Sequence, residues 1–95
     1  MRSLDWTIKA RDDLAAIDAY WWENAPDKAD EILDLIRTAA EFLLGMPHAG
    51  PALDEGAARK WNVRSTRYIL IYRISDSDIQ VLRVRHASED WSALD

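Results

Sequence analysis

The spacing of apolar positions changes along this 95-residue chain, and each change predicts an element. Between Arg2 and Trp6, Leu4 and Trp6 share one parity, which suits a short first strand. The spacing then becomes helical. Ala10, Leu14, Ile17 and Trp21 recur at steps of four, three and four, with Asp12, Asp13, Asp18 and Glu23 on other faces. Thr7 suits an N-cap, and Asp12 and Asp13 near the start suit the positive end of the helix dipole. Asn24-Ala25-Pro26 interrupts this pattern. Asparagine tolerates a left-handed helix end, and proline suits the first position of a new helix. A second stripe follows at Ala29, Ile32, Ile36, Ala39 and Leu43, widened by Leu35, Phe42 and Met46, until Gly45 and Pro47 end it. Two helices with so short a link predict an antiparallel hairpin.

Pro47 to Gly56 reads as a loop, after which period-two alternation returns. Arg59–Val63 is a predicted strand with Arg59, Trp61 and Val63 on one side. Tyr68–Ser75 is apolar on both faces, which predicts a central strand. Asp76-Ser77 forms a hairpin turn, and Ile79–Arg85 returns antiparallel. The expected architecture is α+β in the order β-α-α-β-β-β: a mainly antiparallel four-stranded sheet with the helical hairpin packed on one face. Residues 1–95 are expected to form a single domain.

Strand parity then decides which cations share a face. On the last strand Leu82, Val84 and His86 fall on one side, and Ile79, Val81, Arg83 and Arg85 on the other. If the helices cover Leu82 and Val84, then Arg83 and Arg85 project from the open face. Arg67 and Arg73, with Arg59, Lys60 and Arg64, could join them from neighbouring strands. Such a cluster could hold phosphates or carboxylates in forked hydrogen bonds. It could equally solvate the sheet and pair with Asp76, Asp78 or Glu89. His86 suits either a general acid/base or a hydrogen-bonded histidine closing the sheet edge. Asp54 and Glu55 could supply a base from the loop, or simply be solvated. In Tyr20-Trp21-Trp22, an exposed Trp22 beside Tyr20 would anchor a partner protein; alternatively both tryptophans pack inward.

Charge narrows the choice of partner. The net charge of −5 divides into −7 over residues 1–56 (5 Lys/Arg, 12 Asp/Glu) and +2 over residues 57–95 (7 Lys/Arg, 5 Asp/Glu). That argues against general coating of nucleic acid and leaves a local basic face in the second half. With no cysteine and no helical histidine pair, no metal site is expected. With no glycine-rich phosphate loop, no cofactor is expected either. The N-terminus lacks the apolar stretch of a signal peptide and no run is long enough to span a membrane. A soluble cytoplasmic protein without membrane contacts is therefore expected.

Several short patterns, taken in order, resemble the RelE/ParE family of toxins from type II toxin–antitoxin modules. They are Trp6-Thr7 leading into Ala10, then Asp13-Leu14-x-x-Ile17-x-x-Tyr20, Pro26-x-x-Ala29 and Pro47-x-x-Gly50. Arg59, Thr66-Arg67-Tyr68, Tyr72-Arg73 and Leu82-Arg83-Val84-x-His86 follow, ending at Asp90-Trp91. The resemblance implies a growth-inhibiting toxin held inactive by a cognate antitoxin in a hetero-oligomer, as in plasmid-stabilisation modules. RelE-like members cut mRNA on the ribosome; ParE-like members inhibit DNA gyrase and are not nucleases. A RelE-like reading would make Arg59, Arg83 and His86 catalytic. A ParE-like reading would make Arg67, Arg73, Arg83 and Arg85 a target-binding face. In either, Tyr20 and Trp22 would meet the antitoxin. No tyrosine follows Tyr72, so the C-terminal tyrosine of the ribonucleases is missing, and the ParE-like side is favoured. An inactive relative that only binds antitoxin is the remaining alternative.

Overall fold

The computed structural model describes residues 2–53 and 57–88; Asp54, Glu55 and Gly56, and the Glu89, Asp90 and Trp91 positions, lie outside them. The chain runs β1 (Ser3–Trp6), α1 (Ile8–Asn24), α2 (Pro26–Gly45), β2 (Ala58–Asn62), β3 (Tyr68–Ile74) and β4 (Asp78–His86). The four strands lie in the order β1-β4-β3-β2. β2, β3 and β4 pair antiparallel, while β1 runs parallel to β4, so the sheet is mixed. β3 is central, as its two apolar faces require.

Local chemistry sets the helix ends. Thr7 caps α1: its Oγ1 accepts from the Ala10 N–H at 3.1 Å. The same residue ties α1 to β4, because its N–H donates to the Val81 carbonyl and its hydroxyl to the Leu82 carbonyl. Two sequence expectations change here. Asp12 and Asp13 lie beyond the first turn of α1. The link at residue 25 uses no left-handed residue, since Ala25 is extended (φ −159°) and Pro26 starts α2 directly. The helices pack on each other and on the sheet face that carries Tyr68, Leu70 and Tyr72, closing a core around Ile36, Leu43, Ile79 and Val81. At the far end of α2, Phe42 stacks on Trp61 of β2 with centroids 5.3 Å apart.

The largest departure is in β4. Ile71 faces Arg83, but the next residue, Tyr72, faces Val81, so Leu82 is an extra residue in the ladder. A bulge reverses the alternation beyond it. Ile79 and Val81 therefore join Val84 in the core, and the predicted division with Leu82 on the core side is corrected. Arg83 and Arg85 still pair with Ile71 and Ile69 on the opposite face, and His86 with Tyr68 on the helix side.

Candidate functional site

A groove of about 980 Å³ opens where the C-terminal half of α1, the start of α2, the start of β3 and the end of β4 meet. Its apolar wall is Ile17, Tyr20, Trp21 and Leu35. The Trp21 indole N–H donates to the Tyr68 hydroxyl at 3.1 Å, which joins helix to sheet at the groove floor. His86 meets the Tyr68 ring edge-on at 5.5 Å. Its Nδ1 accepts from the Ser88 N–H at 3.2 Å and lies 2.8 Å from the Ser88 hydroxyl oxygen.

The turn before β3 shapes the rim. Thr66 N–H bonds the Val63 carbonyl, which closes a four-residue turn, and Ser65 takes φ 67° within it. Thr66 Oγ1 donates to Val63 O at 2.9 Å and accepts from Tyr68 N–H at 3.0 Å. Arg67 is held between these two anchors, and its carbonyl accepts from Ala87 N–H at 2.7 Å. Among the described residues, the charged side chains lining the groove are Lys28 and Glu31 from α2 and Arg67, with the His86 imidazole beside them.

Arg59, Arg73, Arg83 and Arg85, also singled out from sequence, are engaged in the fold. Arg59 lies on the helix side and donates from Nη1 to the Gly50 carbonyl at 2.8 Å. Arg73 donates from Nε and Nη2 to Gln80 Oε1. Arg83 reaches α1, where its Nε and Nη2 donate to Asp13 Oδ2 and Oδ1 at 2.8 and 2.9 Å. Asp13 Oδ2 also accepts the Val84 N–H at 2.9 Å, just past the bulge and past the last residue paired with β1. Arg85 is half-buried beside Ile69 and is engaged as well.

Arg59, Arg83 and His86 are therefore not brought together. Arg59 flanks Tyr72 on one side of β3, and His86 flanks Tyr68 on the other. Those tyrosines are four positions apart, about 13 Å along a strand. Tyr20 and Trp22 also part company. Each is 54% exposed, but Tyr20 lines the groove while Trp22 lines a shallower depression of about 290 Å³ with Leu14, Asp18 and Asp30. Among the described residues no cluster of His, Cys, Asp or Glu could hold a metal ion.

Pattern reading missed Lys28, Glu31, Tyr68 and Asp13. Asp13 did carry a signal: residues 10, 13 and 17 share one helical face, and Ala10 and Ile17 are buried. An acid on that stripe needs a partner.

At the other end of β3 from the groove, Tyr72 locks the loop after α2. Its hydroxyl donates to the Pro47 carbonyl at 2.7 Å and accepts the Gly50 N–H at 3.1 Å. Burial pushes the phenol above its ordinary value of 10.0, opposed by the Gly50 hydrogen bond and the Arg59 charge. The folded phenol keeps a proton that the unfolded chain releases above that value. This contribution to stability is whole below about pH 10 and falls as pH rises further. Tyr72→Phe is expected to cost about 1–3 kcal/mol near neutrality and to flatten that alkaline decline. Urea unfolding measured from pH 7 to 11 checks both.

Comparison with known proteins adds a family. The sequence model described as the ParE toxin of type II toxin–antitoxin system, parDE, matches residues 4–91. The predicted toxin Y4kP of Sinorhizobium fredii is 32% identical over 90 residues, covering 95% of this chain and 93% of that protein. A chain of the chromosomal ParDE TA system from P. aeruginosa superposes with a TM-score of 0.81 at 27% identity, covering 90% of this chain and 96% of that one. A chain of the RelBE2 toxin–antitoxin complex from Mycobacterium tuberculosis does so with a TM-score of 0.66 at 26% identity, over the same shares.

Proposed function

Because this chain belongs to the ParE toxin family of type II toxin–antitoxin systems, we propose that it arrests growth by binding DNA gyrase in the cytoplasm. A cognate antitoxin neutralises it by filling the groove between the helical hairpin and the sheet. The observation that carries the gyrase reading is the dispersal of Arg59, Arg83 and His86. Cleavage of RNA through a ribose 2′-OH needs an acid, a base and a cation within hydrogen-bond reach of one phosphate. Here two of the three guanidinium and imidazole groups are tied to Gly50 and Asp13, on different parts of the fold. A binding inhibitor needs no such convergence.

The antitoxin reading draws on the groove itself. Its wall carries a half-exposed tyrosine and buried aliphatic groups, the composition of a surface that receives an amphipathic segment. The ParDE and RelBE2 relatives of known structure are toxin–antitoxin systems.

Purified protein is expected to block supercoiling of relaxed plasmid by gyrase and to leave ribosome-bound mRNA intact. Full supercoiling at saturating protein, together with truncated mRNA, would replace this reading with ribosome-dependent cleavage. Unimpaired growth on induction without antitoxin would mark an inactive relative. The double variant Arg59→Ala, His86→Ala separates the first two mechanisms further, with thermal melts confirming that it folds. A binding inhibitor loses less than about tenfold in potency, whereas a nuclease loses its chemistry, roughly 100-fold or more.

A further inference from the structure

Among the four arginines that the sequence put forward for binding, Arg67 differs from Arg73, Arg83 and Arg85. Among the described residues its exposed guanidinium has no hydrogen-bond or ion-pair partner, and it lines the groove. Its backbone, by contrast, is fixed. Thr66 Oγ1 donates to the Val63 carbonyl and accepts from the Tyr68 N–H, and the Arg67 carbonyl accepts from the Ala87 N–H. The fold thus presents one uncommitted cation from a rigid base at the rim of an apolar groove. Among the described residues Lys28 on the facing helix is a second cation without a partner, and Glu31 is the one acid that lines the groove. In a chain of net charge −5 this local excess is notable for its sign.

We propose that Arg67 reads a carboxylate on the antitoxin segment that fills the groove, and so determines which antitoxin this toxin accepts. The inference rests on the toxin–antitoxin reading above. Apolar side chains of the segment pack on Ile17, Tyr20 and Leu35, which supplies affinity without fixing identity. An acidic residue placed at Arg67 fixes the register. An antitoxin with a basic or apolar residue there leaves the guanidinium facing a like charge or no charge. Rim charges of this kind act on partner choice and association rate more than on total affinity.

The test uses the full chain and, as probe, the purified product of the gene adjoining the toxin's. Dissociation constants are measured for wild type, Arg67→Glu and Arg64→Glu, with thermal melts confirming that each variant folds. Arg64 is exposed on the same turn but does not line the groove. Arg67→Glu is expected to weaken the complex about 10–100-fold and to reduce its dependence on salt. Arg64→Glu is expected to change little. A scan replacing each acidic residue of the probe by lysine should then find one position that restores binding to Arg67→Glu and weakens binding to wild type. Unchanged affinity in Arg67→Glu, equal losses in both variants, or a scan without any restoring position overturns the assignment while the antitoxin reading stands. A wild-type chain that does not bind the probe at all overturns the antitoxin reading, and the Arg67 assignment with it.

Discussion

Gly50→Ala is expected to lower stability by about 2–4 kcal/mol, or to prevent accumulation of folded protein, although it adds one methyl group. A β-carbon at Gly50 would lie 2.2 Å from the Lys60 carbonyl oxygen and 2.8 Å from the Tyr72 hydroxyl. The first neighbour is backbone of β2, which pairs with β3 and cannot swing aside like a side-chain tip. The second is the hydroxyl that holds Pro47 and Gly50 in place. Relief of either contact breaks the Tyr72 or Arg59 hydrogen bonds to this residue. In a domain of this size the loss corresponds to a fall in melting temperature of about 10–25 °C. A differential scanning calorimetry midpoint within about 3 °C of wild type would show that the loop yields more easily than its contacts imply. Gly45→Ala is the matched control, because a β-carbon there meets nothing within 4 Å.

Asp13→Ala is expected to cost about 2–5 kcal/mol, far more than a surface acid warrants. Its carboxylate accepts three hydrogen bonds, two from Arg83 and one from the Val84 N–H. The side chains of Arg83 and Asp13 are only 19% and 16% exposed, so water replaces these bonds incompletely. Asp13→Asn keeps the shape but presents an amide nitrogen to one of these donors, and should lie between alanine and wild type. The double variant Asp13→Ala, Arg83→Ala should cost less than the sum of the single changes, because a pair removed together leaves fewer groups without partners. Additive losses in urea unfolding would mean that Asp13 acts through Val84 and the bulge alone. The consequence for function is direct. A loss of toxicity in Arg83→Ala must be compared with its unfolding midpoint before Arg83 is assigned to target contact.

Much of the architecture was legible because it rests on short-range rules. The helix and strand periods of the apolar positions placed all six elements within a residue or two. Thr7 and Pro26 marked helix starts through their own side-chain chemistry. The apolar faces of Tyr68–Ile74 identified an interior strand, and the helical hairpin followed from the one-residue link at Ala25. Order and spacing of the motifs also carried the family. The parallel placement of β1 beside β4 was not visible, since local pattern does not choose a strand's neighbour.

The candidate site was less legible for the same reason. Parity arguments assume unbroken alternation, and the extra residue at Leu82 breaks it. The second half of the sequence supplied the cations, but not their partners. Arg83 is bound by Asp13, 70 residues away, Arg59 by the Gly50 carbonyl, and Arg73 by Gln80 across the hairpin. Arg67 and Lys28, drawn from a turn and a helix that no pattern links, share one groove. The sequence by itself determined the elements, their order and the family, because periodicity and capping act within a few residues. Only the tertiary structure decided which charges are committed and which remain available, because that depends on pairings between segments far apart in the chain.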